Sequence, residues 1–236
     1  MSGTPSRLYL FDVDGTLVTA RGAGREALGR ALRETFGTTG PIDRYDFRGK
    51  TDPRIVLDLM ADAGVPEAAV HARLDTCFAA YVRELTALVG DGRRVDVMPG
   101  VADLVRALGA TPDVMVGLLT GNIEPGARVK LAPTGLWPHF VVGAFGSDDM
   151  DRRRLPAVAC ARARAAAGRD FALAQVIVIG DTPLDVDCAR ACGAVAVAVA
   201  TGQHGTAELE ACGPDLLFAD FADVEDALAR LTGSLG

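Results

Sequence analysis

Six short and almost wholly apolar runs, at residues 8–11, 114–119, 140–142, 176–179, 195–199 and 216–218, recur along this chain. Each is too short for an ordinary helix and too continuously apolar for a strand with one wet face. They read as strands buried on both faces of a sheet. Burial on both faces requires covering helices, and parallel pairing requires a long crossover between successive strands. Helix-forming stretches stand between the runs, most plainly the Ala- and Arg-rich residues 155–167, and another closes the chain at 223–231. The pattern implies an α/β fold with a Rossmann-like parallel sheet core flanked by helices.

One interval breaks the rhythm. Residues 17–96 contain no convincing strand and read instead as several helices rich in Ala, Leu, Glu and Arg. The return to the sheet pattern is marked by Gly90-Asp91-Gly92 and then Pro99-Gly100, turn-forming stretches suited to a boundary or hinge. The expected organisation is a core of residues 1–17 and 97–236 with a helical domain, residues 18–96, inserted into it. At 236 residues and 49% hydrophobic content the chain is long enough to bury both units.

The charge balance, net -7, offers no basic surface for neutralising phosphates along a nucleic acid, and none is expected as a partner. Five cysteines, Cys77, Cys160, Cys188, Cys192 and Cys212, include no Cys-x-x-Cys pair. Neither a disulfide framework nor a zinc knuckle is indicated, which fits a reducing cytoplasm. Cys188 and Cys192, one helical turn apart, read as small buried apolar residues. No apolar run approaches the roughly 20 residues that cross a bilayer. The first seven residues lack the pattern of a secretory leader, so a soluble cytoplasmic protein without membrane contact is expected.

The chemistry concentrates where the first run ends, in Asp12-Val13-Asp14-Gly15-Thr16. Strand periodicity aims carboxylates two residues apart the same way, and open α/β sheets bind ligands beyond the carboxyl ends of their strands. A calcium loop also begins Asp-x-Asp, but it needs Gly at its sixth position and Glu at its twelfth, where this chain has Leu17 and Ala23. Gly22-Ala23-Gly24-Arg25-Glu26-Ala27, with Asp43 or Asp46 about 20 residues on, loosely matches a dinucleotide fingerprint of NAD-dependent oxidoreductases. Those glycines do not directly follow a strand, and the paired carboxylates already occupy the strand-end turn.

Asp12-Val13-Asp14-Gly15-Thr16 resembles the first motif of the haloacid dehalogenase superfamily in its phosphatase form. Leu118-Leu119-Thr120-Gly121-Asn122 is similar to the second motif, and Ile179-Gly180-Asp181-Thr182-Pro183-Leu184-Asp185 to the acidic fourth. The helical insertion falls where phosphoglycolate phosphatase-like members carry their cap. The third motif departs from the family, which usually places a lysine there. The chain's only lysines are Lys50 and Lys130, and Asp151-Arg152-Arg153-Arg154 supplies arginine instead. Arg152 holds the position resembling the arginine of some relatives, with Arg153 and Arg154 competing beside it.

The resemblance implies a magnesium-dependent phosphatase acting on a small phosphorylated metabolite through a phosphoaspartate. Asp12 is the implied nucleophile and Asp14 the general acid and base. Thr120 and the N–H groups of Gly121 and Asn122 are implied to hold the phosphoryl oxygens, and Arg152 to supply a fixed positive charge. The implied magnesium set is Asp12, Asp181, the backbone carbonyl of Asp14, and Asp185 as an auxiliary. Phe47-Arg48-Gly49-Lys50-Thr51-Asp52 looks like the loop a cap presents to substrate, so Arg48 and Lys50 are candidate contacts to an anionic leaving group. Asp14 sets the chain apart from dehalogenases and from phosphonatases, which lack that aspartate, but a phosphosugar mutase keeps both aspartates and stays open. His71, His139 and Trp137 read as surface or packing residues.

Overall fold

The computed structural model describes residues 7–233. Residues 1–6, most of the segment read above for a leader, lie outside the described residues. Six strands, β1 (Arg7–Phe11), β4 (Val114–Thr120), β5 (Val142–Phe145), β6 (Val176–Gly180), β7 (Val195–Val199) and β8 (Leu216–Phe218), form one parallel sheet in the order β5-β4-β1-β6-β7-β8. A separate antiparallel pair joins β2 (Val18–Thr19) to β3 (Asp96–Val97). The helices are α1 (Ala23–Phe36), α2 (Asp52–Asp62), α3 (Glu67–His71), α4 (Leu74–Val89), α5 (Val101–Ala110), α6 (Glu124–Leu131), α7 (Leu155–Ala167), α8 (Pro183–Cys192), α9 (Thr206–Ala211) and α10 (Val224–Thr232).

The pleat explains why the central runs are apolar throughout. Along β1, Tyr9 and Phe11 point into one layer with Leu104 and Leu108 of α5 and Leu231 of α10. Leu8 and Leu10 point into the other with Leu155 and Ala159 of α7 and Val186 of α8. Every second residue serves one face, and both faces are covered. Burying side chains of this size contributes about 1.5–3 kcal/mol each, so the centre of the sheet is the rigid platform on which the strand ends are held.

Two expectations need correcting. The strand placed at residues 140–142 is Val142–Phe145. Phe140 instead closes a 3₁₀ turn and packs against Phe11, ring centroids 6.4 Å apart, while Val141 is 64% exposed. The strand continues through Gly143, which has no side chain, and Ala144, whose single methyl carries little apolar signal although it is fully buried. The interval 17–96, read as free of strands, contains β2 and the start of β3. Two-residue strands are too short to express a period. They pair where the chain leaves the sheet and where it returns, with Val18 opposite Val97.

Between those crossings α1, α2, α3 and α4 build their own apolar cluster, including Leu28, Leu32, Leu59, Met60, Tyr81 and Leu85. Ala127 and Leu131 of α6 belong to one layer of the sheet, while Val129 of the same helix packs against the helical cluster. Helix α6 is therefore where the helical unit and the sheet meet. Of the cysteines, Cys188 is fully buried and Cys192 is half-buried, and none is in a disulfide. His71 is an exposed neighbour of Glu67, and Trp137 stacks on Phe145.

Candidate active site

Strands β4, β1 and β6 are adjacent and parallel, with Phe11 in register with Leu118 and Ile179. Their carboxyl ends therefore deliver Thr120, Asp12 and Asp181 to one rim. The N–H of Asp12 donates to the carbonyl of Ile179 at 2.9 Å, which carries the ladder one residue past β1 and fixes where that side chain stands. The chain then turns at Gly15, at φ +87°, where a Cβ atom would also press into the Asp181 carboxylate. Only glycine meets both demands.

Asp12, Asp181 and Asp185 are buried, and each offers a carboxylate oxygen within 4.8 Å of the others. Asp185 sits in the first turn of α8, where its Oδ2 accepts from the Thr182 N–H at 3.0 Å and the Thr182 hydroxyl at 2.7 Å. Its Oδ1 accepts from Arg152 Nη2 at 2.5 Å, and the same nitrogen donates to Asp12 Oδ1 at 2.9 Å. Arg152 is 7% exposed, whereas Arg153 and Arg154 lie at the surface beside Asp151 and Asp149. The 3₁₀ turn Arg152–Arg154 before α7 points one arginine inward, and Cys188 Sγ–H caps the Arg152 carbonyl at 3.2 Å. Arg152 Nε is buried without a hydrogen-bond partner among the described residues.

Three buried carboxylates share the site with one guanidinium that pairs with only two of them, Asp12 and Asp185, and the electrostatics reflect the shortfall. Burial pushes Asp12 above the usual carboxylate range, Arg152 pulling it back and Asp185 pushing it further up. Asp181 is pushed up to about 8, by burial first and then by Asp12 and Asp185. Burial opposes the charge of Arg152, but Asp185 and Asp12 more than compensate and hold it protonated. A hard oxygen-seeking divalent cation fits this donor set, since it would supply the charge that Asp181 lacks.

The side chain of Asp14 is not in that cluster. It lies half-exposed, and its Oδ2 accepts from Asn122 Nδ2 at 2.8 Å and from Lys130 Nζ at 2.5 Å. Lys130 also donates to Asn122 Oδ1 at 2.6 Å, and Asn122 Nδ2 reaches Thr120 Oγ1 at 2.8 Å. Thr120 Oγ1 thus accepts while its own proton stays available. The reading of the sequence did not single out Lys130 for this site. Its only signal was being the one lysine of the chain outside the inserted helices.

Gly121 lies under the inserted unit: a Cβ there would strike the Lys50 carbonyl, and its own carbonyl accepts from the Asp52 N–H at 2.7 Å. Asp52 Oδ2 accepts from the Ile123 N–H at 2.8 Å, a second tie between α2 and the strand-end loop. Lys50 holds its ammonium 4.0 Å from the Tyr45 ring centroid and has no salt bridge among the described residues. Arg48 is committed to Asp46 through two bonds of 2.8 and 2.9 Å. Asp12, Asp14, Lys50, Lys130, Arg152 and Asp181 all line one cavity of about 430 Å³ between the strand ends and the helical unit. Arg48 reaches the same wall with its charge already paired.

The arrangement offers a buried carboxylate held by an arginine, a second carboxylate on a separate hydrogen-bond network, and polar donors between them. Residues 9–190 match the family of haloacid dehalogenase-like hydrolases. The chain is 28% identical to a phosphoglycolate phosphatase of Synechococcus elongatus, over 94% of this chain and 97% of that one. It is 29% identical to a phosphoglycolate phosphatase of Rhodospirillum rubrum, over 94% and 90% respectively. A solved hydrolase from Pseudomonas syringae shares the fold, with a TM-score of 0.71 at 20% identity over 95% of this chain and 98% of that one. No helix of the described residues is long and apolar enough to cross a membrane.

Proposed function

The chain belongs to the haloacid dehalogenase-like hydrolases, and from that premise we propose that it is a magnesium-dependent phosphatase of small phosphate monoesters, phosphoglycolate phosphatase-like in substrate. The observation that carries the reading is the division of labour between neighbouring carboxylates: Asp12 buried against Arg152, Asp14 half-exposed on Lys130 and Asn122. One is placed to attack and the other to handle protons.

A carboxylate approaching an anionic phosphate meets a repulsion of roughly 4 kcal/mol per pair of unit charges at 4 Å in a partly screened site. Arg152, the Thr120 hydroxyl and the N–H groups of Gly121 and Asn122 offset it by holding the equatorial oxygens. Asp12 Oδ then bonds to phosphorus as the bond to the leaving oxygen breaks, and protonated Asp14 gives its proton to that oxygen. In the second half Asp14 takes a proton from a water whose oxygen attacks phosphorus. The bond to Asp12 breaks, and phosphate leaves. Magnesium, when bound by Asp12, Asp181 and the Asp14 carbonyl with Asp185 in support, supplies charge neutralisation and orientation of the phosphate. The helical unit, residues 18–96, acts as a cap over the strand ends, and Lys50 meets the anionic end of the substrate. Five free thiols suit a reducing cytoplasm as the place of action.

A panel of phosphate monoesters that includes phosphoglycolate, assayed with and without chelator and with Asp12→Asn, tests the proposal. Turnover should require both the metal and Asp12. Full activity of the chelated protein or of the variant would end the nucleophile and metal assignment.

A further inference from the structure

The Lys130 ammonium stands at the junction of three elements. It belongs to the last turn of α6, it is 5% exposed, and its two hydrogen bonds go to Asp14 Oδ2 and Asn122 Oδ1. The helical unit closes over it: a Cβ added to Gly24 of α1 would sit 3.5 Å from Lys130 Nζ and 3.8 Å from the Tyr81 hydroxyl. The buried Asp52 of α2 also feels its charge. A plain tie between helix and loop does not require a buried ammonium, which costs desolvation and needs good partners. The question is what its placement does for Asp14.

Both donors on Asp14 converge on one oxygen. Oδ2 takes Lys130 Nζ and Asn122 Nδ2, while Oδ1 has no hydrogen bond among the described residues, and the residue lines the cavity. An ammonium and an amide N–H are donors only, so a carboxyl proton on Oδ2 would face two other hydrogens. We infer that Lys130 is a positioning residue for Asp14, which through Oδ2 confines the transferable proton to Oδ1 and keeps that oxygen turned to the cavity. Because Asn122 also bonds Thr120, the same network ties the acid to the loop that holds the phosphoryl group. Without Lys130 the carboxyl group rotates, and the proton is shared between the two oxygens in orientations that do not reach the leaving oxygen. The inference rests on the phosphatase reading of Asp14.

The test compares Lys130→Met, Asp14→Asn and the double variant with the wild type, on an alkyl phosphate accepted by the protein and on p-nitrophenyl phosphate, by rapid-quench measurement of leaving-group release. An alkoxide needs a proton to depart and p-nitrophenolate does not. Lys130→Met should lose ~100-fold on the alkyl ester, less than ~5-fold on the aryl ester, and little in KM. In the Asp14→Asn background the same substitution should cost nothing further on the alkyl ester. Lys130→Gln, which keeps a donor toward Oδ2, should show the same split at smaller amplitude, and it serves if the Met variant does not fold. Equal losses on both esters, or losses that multiply with those of Asp14→Asn, would overturn the positioning role and leave the phosphatase reading intact. A wild-type protein inert toward both esters would overturn the two together.

Discussion

Arg152 reaches Asp12 and Asp185 through a single nitrogen, Nη2, at 2.9 and 2.5 Å, which makes one buried cation the common partner of the strand-end carboxylate and of the first-turn carboxylate of α8. Removing it strands two buried anions. Arg152→Ala should lower turnover by at least ~100-fold and destabilise the fold by about 3–5 kcal/mol. Arg153→Ala and Arg154→Ala, whose partners lie at the surface, should stay within about 0.5 kcal/mol of wild type. Steady-state rates and thermal melts of the three variants check this, and similar mild effects at all three positions would count against the inward role of Arg152.

Asp181 gives a pH signature when no metal is bound. Its folded carboxyl titrates near 8 against an ordinary value of 3.8, so its favourable contribution to stability is complete below about pH 4 and is lost as the pH rises through about 8. In chelator, wild type should therefore lose melting temperature across pH 4–8 relative to Asp181→Asn. Adding magnesium should recover most of that loss at the upper end, where the carboxylate is free to bind. Identical pH profiles for the two proteins in chelator would remove Asp181 from the charge imbalance.

Lys50 and Arg48 line the same cavity but are not equivalent. Arg48 is held by Asp46, whose carboxyl it draws down to about 2, whereas Lys50 rests on the Tyr45 ring without a carboxylate. Lys50→Ala should raise KM by roughly 10-fold for a substrate with a second anionic group, and Lys50→Arg should restore part of it. Arg48→Ala should change KM by less than ~3-fold. Borohydride with phosphonoacetaldehyde should trap no adduct on Lys50, since an imine plays no part here. An adduct together with carbon–phosphorus cleavage would replace the phosphatase assignment.

Gly121 is pinned beneath the Lys50 carbonyl. Gly121→Ala must push the Lys50–Thr51 backbone away from the strand-end loop, and displacements of about 1 Å at such a site cost up to ~100-fold in kcat/KM. The apolar clusters are untouched, so the melting temperature should fall far less than the activity. A variant that melts early in proportion to its lost activity would show that the contact is merely structural.

The main architecture was legible in the sequence because buried parallel strands write their own pattern. Tyr9 and Phe11 face one layer, Leu8 and Leu10 the other, so the run must be apolar whatever surrounds it. Asp12, Asp14 and Asp181 were legible for a related reason: they follow strand ends, and the register of β4, β1 and β6 brings those ends to one rim. The end of β5 was not, since Gly143 and Ala144 are buried by their neighbours' bulk and not by their own hydrophobicity.

What the tertiary structure decided is which charges meet. Only the resemblance favoured Arg152 over the two arginines that follow it, and the 3₁₀ turn before α7 is what sends Arg152 inward and leaves the other two at the surface. Lys130 lies 116 residues from Asp14, on a helix that no local motif connects to the first strand. A helical position acquires a partner only when the helix is packed and rotated, and that is set by contacts along its whole face. The strand-end position of Asp12 was a local property of the chain, while the cation bonded to Asp14 met it only when α6 was seated between the sheet and the inserted helices.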